Sequence, residues 1–192
     1  MSELNVLTID ASSAAQRLLG CILEREIDGE LIRVRIVETE AYDQTDAASH
    51  SYNGQTARTK TMFGPAGRLY VYFTYGMHFC CNVVVGDVGY GSAVLIRAVE
   101  PLNGYELLSR RRGGKMDVQL TNGPAKLCQA LGIDLTMNGH DLRKSPLRLM
   151  VQPKLSSKNI TTTTRIGINT AKDVLWRYYL TDNPYVSVRS VL

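Results

Sequence analysis

Between Ile32 and Tyr42 apolar and polar positions alternate, as in a strand with one buried face. Ile32, Val34 and Ile36 share a face, with Arg33 and Arg35 opposite. Continued strictly, the alternation puts Glu38, Glu40 and Tyr42 on the apolar face and Val37, Thr39 and Ala41 on the other. A core-facing row is therefore predicted to end in two carboxylates. The surrounding segment "CILEREIDGELIRVRIVETEAY" predicts a hairpin turning at Asp28-Gly29. "DASSAAQRLLG" predicts a short helix, with Ser13 and Gln16 at capping-box spacing and Gly20 at its C-terminal end. "RLYVYFTYGMHFCCNVVVGDVGYGSAVLIRAVEP" predicts three strands, turning at Tyr75-Gly76 and within residues 86–91.

Short helices are predicted over "NGYELLSRRRG" and "NGPAKLCQALG", closed by Gly113 and Gly132. Further strands are predicted over "LRLMVQP", "TTRIGIN", "LWRYYLT" and "YVSVRS". The polar stretch "DQTDAASHSYNGQTARTKT" predicts a long connection, and loops of that length are usually functional or mobile. No repeat or interdomain linker interrupts residues 1–192. The strands neither alternate strictly with helices nor form one all-β series. The expected class is α+β: a single domain with a mostly antiparallel sheet or open barrel flanked by short helices.

Composition narrows the setting. With 192 residues, 44% of them hydrophobic and 21% charged, the chain can bury a sizeable core. No apolar run approaches the ~20 residues of a membrane helix, and "MSELNVLTID" does not read as a secretion signal. A soluble intracellular protein is expected, cytoplasmic in a bacterium or nuclear in a eukaryote, with no membrane partner. Cys21, Cys80, Cys81 and Cys128 form no C-x-x-C pair, so buried free thiols are expected. Net charge is +4, unevenly spread: residues 1–50 hold 4 Lys/Arg against 10 Asp/Glu, and residues 51–192 hold 18 against 8. The basic part suits a polyanionic partner or a solvated surface of mixed charge.

Two carboxylates at the end of a core row need partners or a task, because desolvation opposes their charge. At ~3.3 Å per residue, Glu40 stands roughly 7 Å along the strand from Glu38 and from Tyr42, a spacing suited to opposite walls of a small pocket. Salt bridges to arginines are one reading. A divalent-metal site on Glu38, Glu40 and His50 is another, weakened by the absence of a second nearby histidine. A second constellation, Tyr70, Tyr72 and Tyr75 in "LYVYFTYG", puts Tyr75 at a hairpin tip, where an aromatic side chain does not serve the core. "GDVGYG" lacks dinucleotide-fingerprint spacing and reads as a turn; "RRRGGK" reads as a helix C-terminus.

Taken in order, "RIVETEAY", the "AASHS" histidine, "LYVYFTYGMHFCCNV", "VLIRAVEPL", "LTNGPAKLCQALGI" and "TRIGI" resemble the alkyladenine (3-methyladenine) DNA glycosylase family. The resemblance runs from about residue 17 to the C-terminus. It implies a compact, bacterial-type enzyme, active as a monomer without cofactor or metal, whose partner is double-stranded DNA containing damaged purines. The reaction implied is hydrolysis of the N-glycosidic bond after the base is flipped from the stack.

By the same resemblance, Glu40 is the general base that activates water, with Arg97 and the backbone carbonyl of Ile166 holding that water. Tyr42, Tyr72 and His50 enclose the flipped base, and Asn82 excludes guanine. Tyr75 on a protruding hairpin fills the vacated stack, with Met62 and Arg58 near DNA. Glu38 is expected to be a structural carboxylate. No lysine falls in the segments that carry the catalytic residues, "RIVETEAY", "VLIRAVEPL" and "TRIGI", so no Schiff-base strand cleavage is expected. A non-catalytic lesion reader and a metal-dependent nuclease or hydrolase are the competing classes.

Overall fold

The computed structural model describes residues 3–74 and 76–188. Helix α1 (Ala11–Leu18) begins at Asp10, whose carboxylate accepts from the Ser13 N–H at 2.8 Å. The cap is thus Asp10 rather than the predicted Ser13, because its side chain reaches the first free amide donors of the helix. Ala11, Ala14, Ala15 and Leu18 recur at helical spacing and are all buried. The predicted hairpin follows as β1 (Ile22–Ile27) and β2 (Glu30–Tyr42). Asp28 and Gly29 both adopt positive φ, the backbone a tight two-residue hairpin turn requires.

The predicted three-strand segment forms β3 (Leu69–Thr74), β4 (His78–Val84) and β5 (Ala93–Pro101). Helices α2 (Tyr105–Arg111) and α3 (Pro124–Leu131) precede β6 (Leu147–Met150), β7 (Ile160–Thr163) and β8 (Arg177–Leu180). Every pairing among these strands is antiparallel. The sheet runs β3-β4-β5-β2-β1-β6, with β8 also beside β2 and β7 beside β8, curling into a half-barrel with three short helices. This is the expected α+β class. No helix among the described residues is long and apolar enough to cross a membrane. The four cysteines are free and buried, as expected.

Two predicted strands are absent. In "TTRIGIN" the ladder stops at Thr163, because Ile166 gives its N–H to a side chain and Gly167 turns at φ +75°. In "YVSVRS" the Ser187 N–H is likewise committed to a carboxylate, and residues 189–190 lie outside the described set. The long connection after β2 is pinned at several points. Ser51 Oγ donates to the Gly91 carbonyl at 2.7 Å, and Gly91 N–H donates to Gln44 at 2.8 Å.

The strict alternation predicted for β2 also fails, and its failure creates the site. Opposite β5 the register runs Ile36↔Val99, Glu38↔Ala98, Thr39↔Ile96, so Val37 on one strand and Arg97 on the other are each an extra residue. Each bulge reverses which parity faces inward. On β2 the core set passes from Ile32, Val34 and Ile36 to Ala41, with Thr39 bonding the Ala15 carbonyl of α1. On β5 it passes from Val94 and Ile96 to Val99. Glu38, Glu40 and Tyr42 therefore leave the core face together with Arg97.

Candidate active site

The residues expelled by the paired bulges meet across the two strands. Arg97 donates through Nε to Glu38 at 3.1 Å, and its Nη1 lies 3.2 Å from Glu40. Burial works against the Arg97 charge, but Glu40 and then Glu38 outweigh it and hold the guanidinium above its ordinary value. Glu40 is fully buried. Its Oε1 also accepts from the Ile166 N–H at 2.8 Å, and its Oε2 from the Tyr42 hydroxyl at 2.9 Å. Burial, and then the Glu40 charge, push the Tyr42 phenol far up, so it stays protonated and donates.

Glu38 is held differently. Arg177 donates to it at 2.7 Å, and Ser187 donates through both its N–H and its hydroxyl. With Arg97 these donors enclose the carboxylate, so Glu38 is a structural anion rather than the pocket wall that strand spacing predicted.

In front of Glu40 opens a cavity of about 500 Å³. Tyr42, His50, Tyr72, Asn82, Arg97, Met62 and Ile166 all line it. Glu40 stands one layer behind, in contact with the lining residues Tyr42, Arg97 and Ile166. Of the residues given site roles from the sequence, these eight are brought together. Tyr72 and His50 meet edge to face at 4.6 Å, and His50 Nδ1 lies 3.1 Å from the Tyr70 hydroxyl. Burial, reinforced by Arg58, lowers the His50 pKa, and burial raises that of Tyr72. Asn82 donates to the Tyr70 carbonyl at 3.2 Å. Met62 is buried with Phe63, Tyr70, Val84 and Ala93 beneath the tyrosines. Arg58 is exposed, its guanidinium carbon 5.9 Å from the Tyr72 ring centre. Cys80 also lines the cavity, but burial pushes its thiol up to about 11, which leaves it protonated at neutral pH.

Tyr75 lies outside the described residues. Thr74 and His78 are paired, and between them Gly76 has φ +67° and Met77 is 69% exposed. The metal reading does not match the arrangement. Glu38 and Glu40 are engaged by arginines, His50 by Tyr70, and among the described residues no three His, Cys, Asp or Glu side chains gather to hold an ion.

Sequence reasoning left several residues of the site without a role. Tyr70 was named beside Tyr72 and Tyr75 but given none; it shares the strand face of Tyr72, lines the cavity and bonds His50. Arg165 immediately precedes Ile166 in "TRIGI" and is buried against Asp46, Tyr42 and Trp176. Arg177 carried no local signal, since only β8 pairing with β2 brings it to Glu38.

An aromatic-walled cavity with an ion-paired carboxylate behind it can take a planar ring beside a buried charge. The chain belongs to the family described as Methylpurine-DNA glycosylase (MPG), which it matches over residues 5–184, and it is accordingly a DNA glycosylase. It is 51% identical over 179 residues to a protein of Carboxydothermus hydrogenoformans named "Putative 3-methyladenine DNA glycosylase", covering 93% of this chain and 94% of that one. Proteins of the same name from Methanoculleus marisnigri and Desulfitobacterium hafniense are 48% and 46% identical, covering 94% of this chain in each case and 95% of each relative.

Proposed function

We propose that this glycosylase excises damaged purines from duplex DNA, 3-methyladenine, 7-methylguanine, hypoxanthine and ethenoadenine among them, by a water that Glu40 activates. The observation that carries the reading is that all three partners of Glu40, namely Tyr42, Arg97 and Ile166, line the cavity. A water admitted between them meets a carboxylate base and a fixed cation at once. The negative charge of Glu40 then stabilises the oxocarbenium-like sugar as the glycosidic bond breaks.

The flipped base enters between Tyr42, Tyr72 and His50. N3- or N7-alkylated purines are cationic, and electron-rich ring faces add ~0.5–2 kcal/mol of attraction for a cation. Asn82, which lines the cavity, refuses the exocyclic amino group of guanine. Tyr75 fills the vacated stack, and Arg58 meets the backbone. With no lysine in the segments that carry Glu40, Arg97 and Ile166, the enzyme is monofunctional and leaves an abasic site; it acts as a monomer. Single-turnover release of ethenoadenine and hypoxanthine from a defined duplex in EDTA, for wild type and Glu40→Gln, tests this. Release by wild type alone is expected. Lesion binding without base release by either protein would favour a non-catalytic reader, and chelator-sensitive release would favour a metal enzyme.

A further inference from the structure

Directly behind Tyr42 lies an ion pair that the excision chemistry does not use. The Arg165 guanidinium is fully buried and grips Asp46 with both terminal nitrogens, one contact being Nη2 to Oδ1 at 3.0 Å. Nη1 also donates to the Ala41 carbonyl at 2.9 Å. The guanidinium carbon lies 4.8 Å from the Tyr42 ring centre and 5.4 Å from that of Trp176, so it sits against both rings.

These contacts join three separate pieces of the cavity. Asp46 Oδ1 accepts from the Ala48 N–H at 3.0 Å and so shapes the turn carrying Ala47, Ala48 and His50. Ala41 precedes Tyr42 on β2. Arg165 itself precedes Ile166, whose N–H meets Glu40, and residues 166–170 form the facing wall. Arg165 does not line the cavity. Its Nε, like that of Arg111, has no hydrogen-bond partner among the described residues.

We propose that Arg165, gripped by Asp46, is a positioning residue for base excision: it seats Tyr42 and fixes the separation of the three walls without touching the base. The proposal rests on the excision reading for its rate test and carries a second readout that does not. Trp176 is the chain's one tryptophan, so its emission reports on the guanidinium beside it.

Arg165→Lys keeps the charge but loses the planar fork. Asp46→Asn/Arg165→Gln removes both charges together, leaving neither buried alone, and serves where the single variant fails to fold. For a variant with wild-type circular dichroism, single-turnover excision is expected to fall about 10- to 100-fold, with binding of undamaged duplex unchanged, since small misplacements carry losses of that order. Trp176 emission in wild type should shift on adding an ethenoadenine duplex but not an undamaged one, and the variant should lose that response. A folded variant with wild-type excision rates would overturn the proposal. If wild type released no base, the excision reading would fall, and the lesion-specific emission response would still decide the positioning role. Its absence in wild type would overturn that role.

Discussion

The Tyr42 hydroxyl donates to Glu40 at 2.9 Å, so the residue that walls the cavity also orients the carboxylate behind it. The two lie two positions apart on β2, beyond the bulge that turns both away from the core. Tyr42→Phe keeps the aromatic wall and removes the donor. Excision is expected to slow about 10- to 150-fold, with lesion affinity nearly kept, since a hydrogen bond to a charged group contributes ~1.5–3 kcal/mol. Single-turnover rates beside equilibrium binding separate the two effects; a rate equal to wild type would show that Glu40 is oriented without the phenol.

Glu38 and Glu40 share Arg97 but differ in surroundings, and their amide variants should differ accordingly. Glu38→Gln leaves Arg97 and Arg177 short of a buried counter-charge and should lower stability by about 3 kcal/mol. Glu40→Gln should abolish turnover with a smaller loss. Urea unfolding with excision rates scaled to the folded fraction makes the comparison, and equal loss of turnover in two well-folded variants would overturn the division.

Asn82→Ala should raise release of undamaged guanine while sparing hypoxanthine release. Asn82 lines the cavity with its amide anchored on Tyr70, so removal opens room beside the base. An unchanged selectivity profile in a competition assay would exclude it as the discriminating group.

His50 links stability to pH. Burial, then Arg58, lowers its folded pKa below 6.5, so the unfolded chain takes up its proton first as pH falls. The contribution of neutral His50 is fully present above about pH 6.5 and is lost as pH drops through the folded value. Urea midpoints at pH 7.5 and 5.5 should therefore fall more steeply for wild type than for His50→Asn. Parallel slopes would remove His50 as the source.

Much of the fold was legible in the chain because local chemistry enforces it. Asp28-Gly29 supplies the positive φ of a hairpin turn, and Gly132 does the same at the end of α3. Most of the cavity lining, Tyr42, His50, Tyr72, Asn82 and Arg97 included, lies in the segments that carry the family resemblance, as does Glu40 behind it. Arg165 and Asp46 were not assigned roles because their work depends on neighbours far along the chain. Arg165 is 119 residues from Asp46, and Glu38 is 139 from Arg177. No local propensity encodes such pairs.

The acidic row divides what each level determined. The sequence by itself placed two carboxylates and a tyrosine in one strand, next to residues that must be buried. Strict alternation would have driven those carboxylates into the apolar core, at a desolvation cost no nearby partner offsets. Only tertiary pairing decided otherwise. One extra residue on β2 at Val37, matched by one on β5 at Arg97, reverses both strands at the same level and leaves the register beyond unchanged. Side-chain parity along a strand is a property of its hydrogen-bonded partner as much as of its own residues, and so the face that Glu40 presents was settled by β5.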